Sequence, residues 1–238
     1  MPIYTKDEAL KQLLDNGMSC AKSFNVPDSL QVELPCRLSD LASKHLTVGA
    51  FSYFGPYCDI RRGEIGRYCS FGRRVRGAQV EHPTDYVTTH PIAYNPRSLF
   101  INNQFFQIAV REREVKNRPR LYVGHDVWVG DGAFIRSGVT IGTGAIVGAN
   151  SVVVHDVPPY AVVAGSPATI KRMRFDEHTV ERLISSRWWE KDIRILADDI
   201  GNVSMFLDAI EAQDVPEYAH PKAICKRAGK DSYELKFS

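Results

Sequence analysis

The sequence predicts a mainly β chain wound as a parallel β-helix, and three observations carry that expectation. From Val123 the residues fall into sixes, VGHDVW VGDGAF IRSGVT IGTGAI VGANSV VVHDVP, with Val123, Val129, Ile135, Ile141, Val147 and Val153 at the first place. The fifth place is small or β-branched: Val127, Ala133, Val139, Ala145, Ser151, Val157. Glycine takes the second place at Gly124, Gly130, Gly142 and Gly148. Helices place apolar residues every three or four positions and ordinary strands every two. A period of six fits short flat strands joined by regular corners. The aliphatic residue points inward, the small one fits the corner, and the glycine is expected to let the backbone turn.

A second run of sixes starts at Val48: VGAFSY FGPYCD IRRGE IGRYCS FGRRVR. Its third unit is one residue short, so the register slips there. Arg61, Arg62, Arg67, Arg73, Arg74 and Arg76 fall at outward places and read as a solvated face, with a specific anion site as the alternative. Between the runs, from about 77 to 120, the repeat is lost. Such a break is a loop extruded from one face of the solenoid, where sites are often built. Phe100, Phe105 and Phe106 in its second half are expected to pack it onto its own or a neighbouring subunit.

Outside the coils, residues 6–16 place Ala9, Leu10, Leu13 and Leu14 on one helical face stopped by Gly17. Leu30, Val32 and Leu34 alternate like a strand before Pro35. Residues 1–46 are expected to cap the open end of the stack, because solenoid ends need covering. The coil domain then spans 47–172, and a helical segment with a tail spans 173–238. Helices are expected over 175–186, 188–197 and 203–212, and the tail from 216 shows no clear pattern.

The chain has 238 residues, 44 % hydrophobic and 24 % charged, with a net charge of +2, which gives no reason to expect nucleic acid or a membrane surface as partner. The N-terminus is charged and amphipathic, unlike a signal peptide, and no apolar run approaches a membrane span. Cys20, Cys36, Cys58, Cys69 and Cys225 are odd in number and lack CxxC spacing, so neither a disulfide framework nor a zinc site is suggested. A reducing cytoplasm is the expected setting.

Four segments bear a family resemblance: the loop EHPTDYVTTHP, the coil HDVWVGDGAFI, the tail GAIVGANSVVVHDVPPYAVVAGSPATIKR and the stretch RFDEHTVERLISSRWWEKDI. With the two hexad runs they resemble the hexapeptide-repeat acyltransferases, and within these the xenobiotic acetyltransferases that include streptogramin and type-B chloramphenicol acetyltransferases. The resemblance runs roughly from 48 to 196. It implies a left-handed coil, a homotrimer with sites between subunits, and acetyl-CoA as co-substrate with no metal. Relatives of the same layout acetylate surface-polysaccharide sugars, so the implied acceptor is an antibiotic or sugar hydroxyl.

The same resemblance implies that His82 is the catalytic base, since acetyl transfer to an alcohol needs a group to draw off its proton. Glu81, Asp85 or a backbone carbonyl would orient its ring, and His90 is the weaker candidate. Coenzyme contacts implied by match are Trp128, Asp131, Gly148, Ala149, Ser151 and His155, with Lys171 and Arg172 placed in sequence to meet phosphates. Tyr53, Tyr57, Tyr86 and Tyr94 are aromatics suited to stacking an acceptor or packing between subunits. Trp188 and Trp189 are expected to dock the C-terminal helices on the coils. Two other readings stay open. One is an N-acyltransferase acting on an amino or nucleotide sugar. The other is a carbonic-anhydrase-like coil protein holding a metal with His82, His90 and His125.

Overall fold

The computed structural model describes residues 2–21, 24–94, 119–196 and 198–238. They form a parallel β-helix whose coils present three sheets, like the faces of a prism. The first sheet carries His45–Val48, Arg62–Ile65, Leu121–Val123 and Thr140–Ile141. The second carries Cys36–Ser39, Tyr53–Phe54, Ser70–Phe71, Trp128–Val129, Ile146–Val147 and Ala161–Gly165. The third carries Asp59–Ile60, Arg76–Gly77, Phe134–Ile135 and Val152–Val153.

The register is the hexad register. Val48, Ile65, Val123 and Ile141 stack in the first sheet. Phe54, Phe71, Val129, Val147 and Val163 stack in the second. All are buried, and so are the fifth-place residues from Val127 to Ser151. Val157, expected at a fifth place, instead pairs with Ile141 in the first sheet and takes a first place, so the last six is cut short there. Cys58 and Cys69 behave as small apolar groups: burial pushes their thiols up to about 11 and about 12. In the third sheet Ile60, Gly77, Ile135 and Val153 stack, so Gly77 holds an inward place without a side chain. A Cβ there would meet Leu121 and Ile60, which fill the gap where the chain leaves the coil.

The expected role of the second-place glycines is corrected. None of them has a positive φ. A Cβ on Gly49 would instead lie 2.6 Å from the backbone of the next coil, at Gly66 and Arg67. These glycines provide clearance between stacked coils. The left-handed backbone falls at the fourth place, at Phe51, Tyr57, Tyr68, Arg74, Asp126, Gly132, Gly138, Gly144, Asn150 and Tyr160. Bulky residues there carry a conformational cost. Some of it is offset by stacking between coils, as Phe51 on Tyr68 at 5.1 Å shows.

Helix α1 (Lys6–Asp15) follows the expected pattern and starts on a Thr5–Glu8 capping box. Three strands of the N-terminal region extend the stack itself: Met18–Cys20 pairs with Cys36–Ser39, and Ser29–Glu33 pairs in parallel with His45–Val48. The tail differs from its patternless reading. Lys222–Arg227 and Ser232–Phe237 form an antiparallel hairpin on Ser29–Glu33, with Ile3–Thr5 added at its edge. Helices α2 (Glu177–Ser186) and α3 (Val203–Ala212) form where helices were expected. The expected helix over 188–197 differs: residues 188–196 contain two short 3-10 turns, Trp188–Glu190 and Ile193–Leu196. Trp189 is buried, and Trp188 packs on Tyr68 and Phe206, so the pair docks the C-terminal segment as expected.

One polar knot ties these segments together. Arg67 donates to Glu33 at 2.6 and 2.9 Å and to the Trp189 carbonyl at 3.1 Å, and Lys222 lies 3.4 Å from Glu33. Burial would raise the Glu33 carboxyl, but the Arg67 bonds and charge outweigh it and hold it down to about 2. Arg67 is thus a structural cation, unlike the exposed Arg73, Arg74 and Arg76. No helix among the described residues is long and apolar enough to cross a membrane.

Candidate active site

The chain leaves the prism after Gly77, at the corner leading from the third sheet to the first. Gln79 pins the exit by donating to the Asp59 carbonyl at 2.8 Å, and the Ser137 hydroxyl donates to the Gln79 carbonyl at 2.8 Å. His82 follows, exposed at the start of the loop. Its Nδ1 lies 2.7 Å from the Thr89 carbonyl and 3.2 Å from the Tyr94 hydroxyl. A carbonyl only accepts, so Nδ1 carries the proton. The lone pair is therefore on Nε2, and the ring is set up to take a proton there.

The orienting oxygen belongs to Thr89, and Asp85 is not the partner of His82 Nδ1. Asp85 lies exposed on the loop. His90, the weaker candidate, caps the 3-10 turn Pro91–Ala93, its Nδ1 accepting from the Ile92 N–H at 3.1 Å. Tyr94 ends that turn and is 7 % exposed, with its ring edge-on to His82. It is buried beside the histidine, so little of its ring is open for the acceptor stacking expected of it. Tyr86 also lies in this loop, while Phe100, Phe105 and Phe106 lie outside the described residues.

Several of the expected coenzyme and acceptor residues come together elsewhere. On the second sheet, Tyr53, Ser70, Trp128, Ile146, Val162 and Arg172 form one outward row, strand by strand. Trp128 is 55 % exposed and Tyr53 48 %. At the adjoining corner, between the second and third sheets, lie Tyr57, Asp131, Gly148 and Ala149. Tyr57 and Ala149 are exposed there. The Asp131 carboxylate accepts the Arg73 N–H of the coil beside it at 2.9 Å, which fixes it on that corner. Lys171 and Arg172 lie exposed on the closing strand Ala168–Met173.

Two expected coenzyme contacts fall outside this edge. Ser151 is buried and its hydroxyl accepts the Gly165 N–H at 3.2 Å, so it faces the coil interior. His155 is exposed, but it follows Val153 onto the corner between the third and first sheets.

His125 does not join His82 and His90. It lies at the corner between the first and second sheets, stacked on Trp189 at 4.8 Å, and its Nδ1 accepts the Arg67 N–H at 3.0 Å. Burial, with Arg67 nearby, pushes its imidazole down to about 4. Among the described residues no group of three His, Cys, Asp or Glu side chains is arranged to hold a metal ion.

Residues 121–155 match the family "Bacterial transferase hexapeptide (six repeats)". A chloramphenicol acetyltransferase of Agrobacterium fabrum is 30 % identical over 166 residues, which is 62 % of this chain and 76 % of that protein. The chain belongs to the hexapeptide-repeat acetyltransferases. Membership brings the left hand of the coil with it and makes this protein an acyltransferase. A probable macrolide acetyltransferase of Lysinibacillus sphaericus is 32 % identical over 127 residues, 52 % of this acetyltransferase and 67 % of that one. Among solved structures, a hexapeptide-repeat acetyltransferase from Vibrio cholerae is 23 % identical, with TM-score 0.38, over 72 % of this chain and 82 % of the other. An N-acyltransferase from Bacillus cereus, solved with dTDP-4-amino-4,6-dideoxyglucose and coenzyme A, is 18 % identical, with TM-score 0.48, over 78 % and 97 %.

One feature of the candidate site was not legible in the sequence, and a second left only a faint signal. The Thr89 carbonyl is backbone and leaves no side-chain signature. The position of Tyr94 beside His82 could have been suspected from the turn formed at His90-Pro91, which folds the loop back towards His82.

Proposed function

We propose that this protein is an acetyl-CoA-dependent O-acetyltransferase acting on a hydroxyl of a small molecule, an antibiotic or a sugar, with His82 as general base. The observation that carries the reading is the bond from His82 Nδ1 to the Thr89 carbonyl at 2.7 Å, which leaves Nε2 as the free base. In the proposed reaction Nε2 takes the acceptor's hydroxyl proton as its oxygen attacks the thioester carbonyl. The bond to sulfur then breaks, and the imidazolium returns the proton to the departing thiolate. Most of the gain comes from holding both substrates in place.

The outward row of the second sheet supports the coenzyme assignment. From Tyr53 to Arg172 it spans roughly 24 Å, five strand steps of ~4.8 Å. In this reading Trp128 and Ala149 line the pantetheine arm, and Lys171 and Arg172 meet the phosphates. Tyr53 and Tyr57 adjoin the acceptor. His82 leaves from the far corner of the third sheet, so the edge that completes its site belongs to another copy in a homotrimer. The chloramphenicol and macrolide acetyltransferases among the relatives favour a hydroxyl over an amine. Use of acetyl-CoA makes the cytoplasm the proposed setting.

The test is acceptor-dependent thiol release from acetyl-CoA across chloramphenicol, a macrolide, a streptogramin, nucleotide sugars and their amino-sugar counterparts. The expected result is turnover with a hydroxyl acceptor and an ester product that hydroxylamine cleaves. Turnover confined to the amino sugars, with an amide product, would replace the reading with N-acyl transfer.

A further inference from the structure

The loop that carries His82 is organised by its own short-range bonds. The His90 N–H donates to the Thr88 hydroxyl at 3.1 Å, the Ile92 N–H to His90 Nδ1 at 3.1 Å, and the Ala93 N–H to the His90 carbonyl at 3.0 Å. The Tyr94 N–H then donates to the Pro91 carbonyl at 3.0 Å. This turn brings Tyr94, twelve residues along the chain, back against His82. Its hydroxyl oxygen reaches Nδ1 at 3.2 Å and its ring meets the imidazole edge-on, 6.2 Å between centres and 80° between planes.

We propose that Tyr94 is a positioning residue for His82: its buried hydroxyl shares the Nδ1 proton with the Thr89 carbonyl, fixes the tautomer with Nε2 free, and steadies the imidazolium formed during transfer. The proposal rests on the reading of His82 as base. Two oxygens on one N–H resist rotation of the ring better than one. Both also turn their negative ends towards the ring when it gains a proton, and hydrogen bonds to a charged group are stronger than those to a neutral one. The effect of Tyr94 passes through His82, the residue its hydroxyl and ring contact.

The experiment compares Tyr94→Phe, His82→Ala and the double variant. The phenyl ring keeps the edge contact and the burial, and only the hydroxyl is lost. Tyr94→Phe is expected to lower kcat by about ten-fold or more, as loss of a hydrogen bond to a charged group does, and to leave the KM for acetyl-CoA unchanged. Ring-nitrogen NMR of the resting protein should show His82 as the Nδ1–H tautomer, and as a mixture of tautomers in Tyr94→Phe. In the His82→Ala background the tyrosine substitution should cost nothing more. Unchanged kcat and tautomer in Tyr94→Phe, with His82→Ala inactive, would overturn the positioning function and leave His82 as the base. A further loss in the double variant would show that Tyr94 acts apart from His82, which also overturns it. Near-normal turnover in His82→Ala would remove both readings.

Discussion

His82 and His125 show how placement decides what the same side chain can do. His82 is exposed with one nitrogen tied to a carbonyl, which leaves its other nitrogen for the proton transfer proposed above. His125 is stacked on Trp189 and accepts from Arg67, and burial holds it neutral down to about pH 4. That neutrality has a measurable consequence. An unfolded histidine gains its proton near pH 6.5, where the folded one does not. Stability from His125 is therefore complete above pH 6.5 and falls as the pH drops from 6.5 towards 4, by up to about 3 kcal/mol. His45 and His220 are also lowered, burial first, and add to the same window. Glu33, held down to about 2, loses its contribution as the pH falls from the carboxyl's ordinary value of 4.5 towards 2, below both pH values of the unfolding test. Urea unfolding at pH 7.5 and pH 5 separates these terms. The wild type should lose stability between the two, and His125→Asn should show a flatter dependence. An equally steep loss in that variant would place the effect elsewhere.

At the scale of the element, the hexad is the unit, and its places were unequally legible. First and fifth places show in the sequence because burial selects aliphatic and small side chains there. The fourth place does not, because residues as different as Phe51, Arg74, Asp126 and Gly144 hold the same left-handed backbone. The second-place glycines were visible but their cause was not, since coil-to-coil clearance is a property of stacking. This makes Gly66 a sharp test. A Cβ on it would lie 2.6 Å from the Gly124 carbonyl carbon, whereas Gly201 has nothing within 4 Å. Gly66→Ala should destabilise by about 2 kcal/mol or more, as overpacking against fixed backbone does. Gly201→Ala should stay within about 0.5 kcal/mol of the wild type. Equal unfolding midpoints for the two variants would refute the clearance argument.

The tail hairpin was missed for a related reason. Ala223, Cys225, Tyr233 and Leu235 point inward, but lysines and glutamates between them give the stretch a polar reading. Its partner strand, Ser29–Glu33, is remote in sequence, so no local pattern announces the pairing.

Over the whole molecule, the ends of the chain cover one end of the coil stack, and the coils between them hold the two parts of the proposed site. One corner and its neighbouring sheet present Trp128, Ala149 and Arg172. The opposite corner releases the loop with His82. The coil was legible from its period. The loop's geometry was not, because it depends on a backbone carbonyl and a turn at His90. The central claim is that His82 Nε2 removes the acceptor's proton. Its most direct test is the turnover of His82→Ala, measured as thiol release with whichever acceptor proves active. The account predicts a loss of roughly two to four orders of magnitude, the usual worth of a general base, with unfolding midpoint and acetyl-CoA binding unchanged. Turnover within a few-fold of the wild type would contradict it.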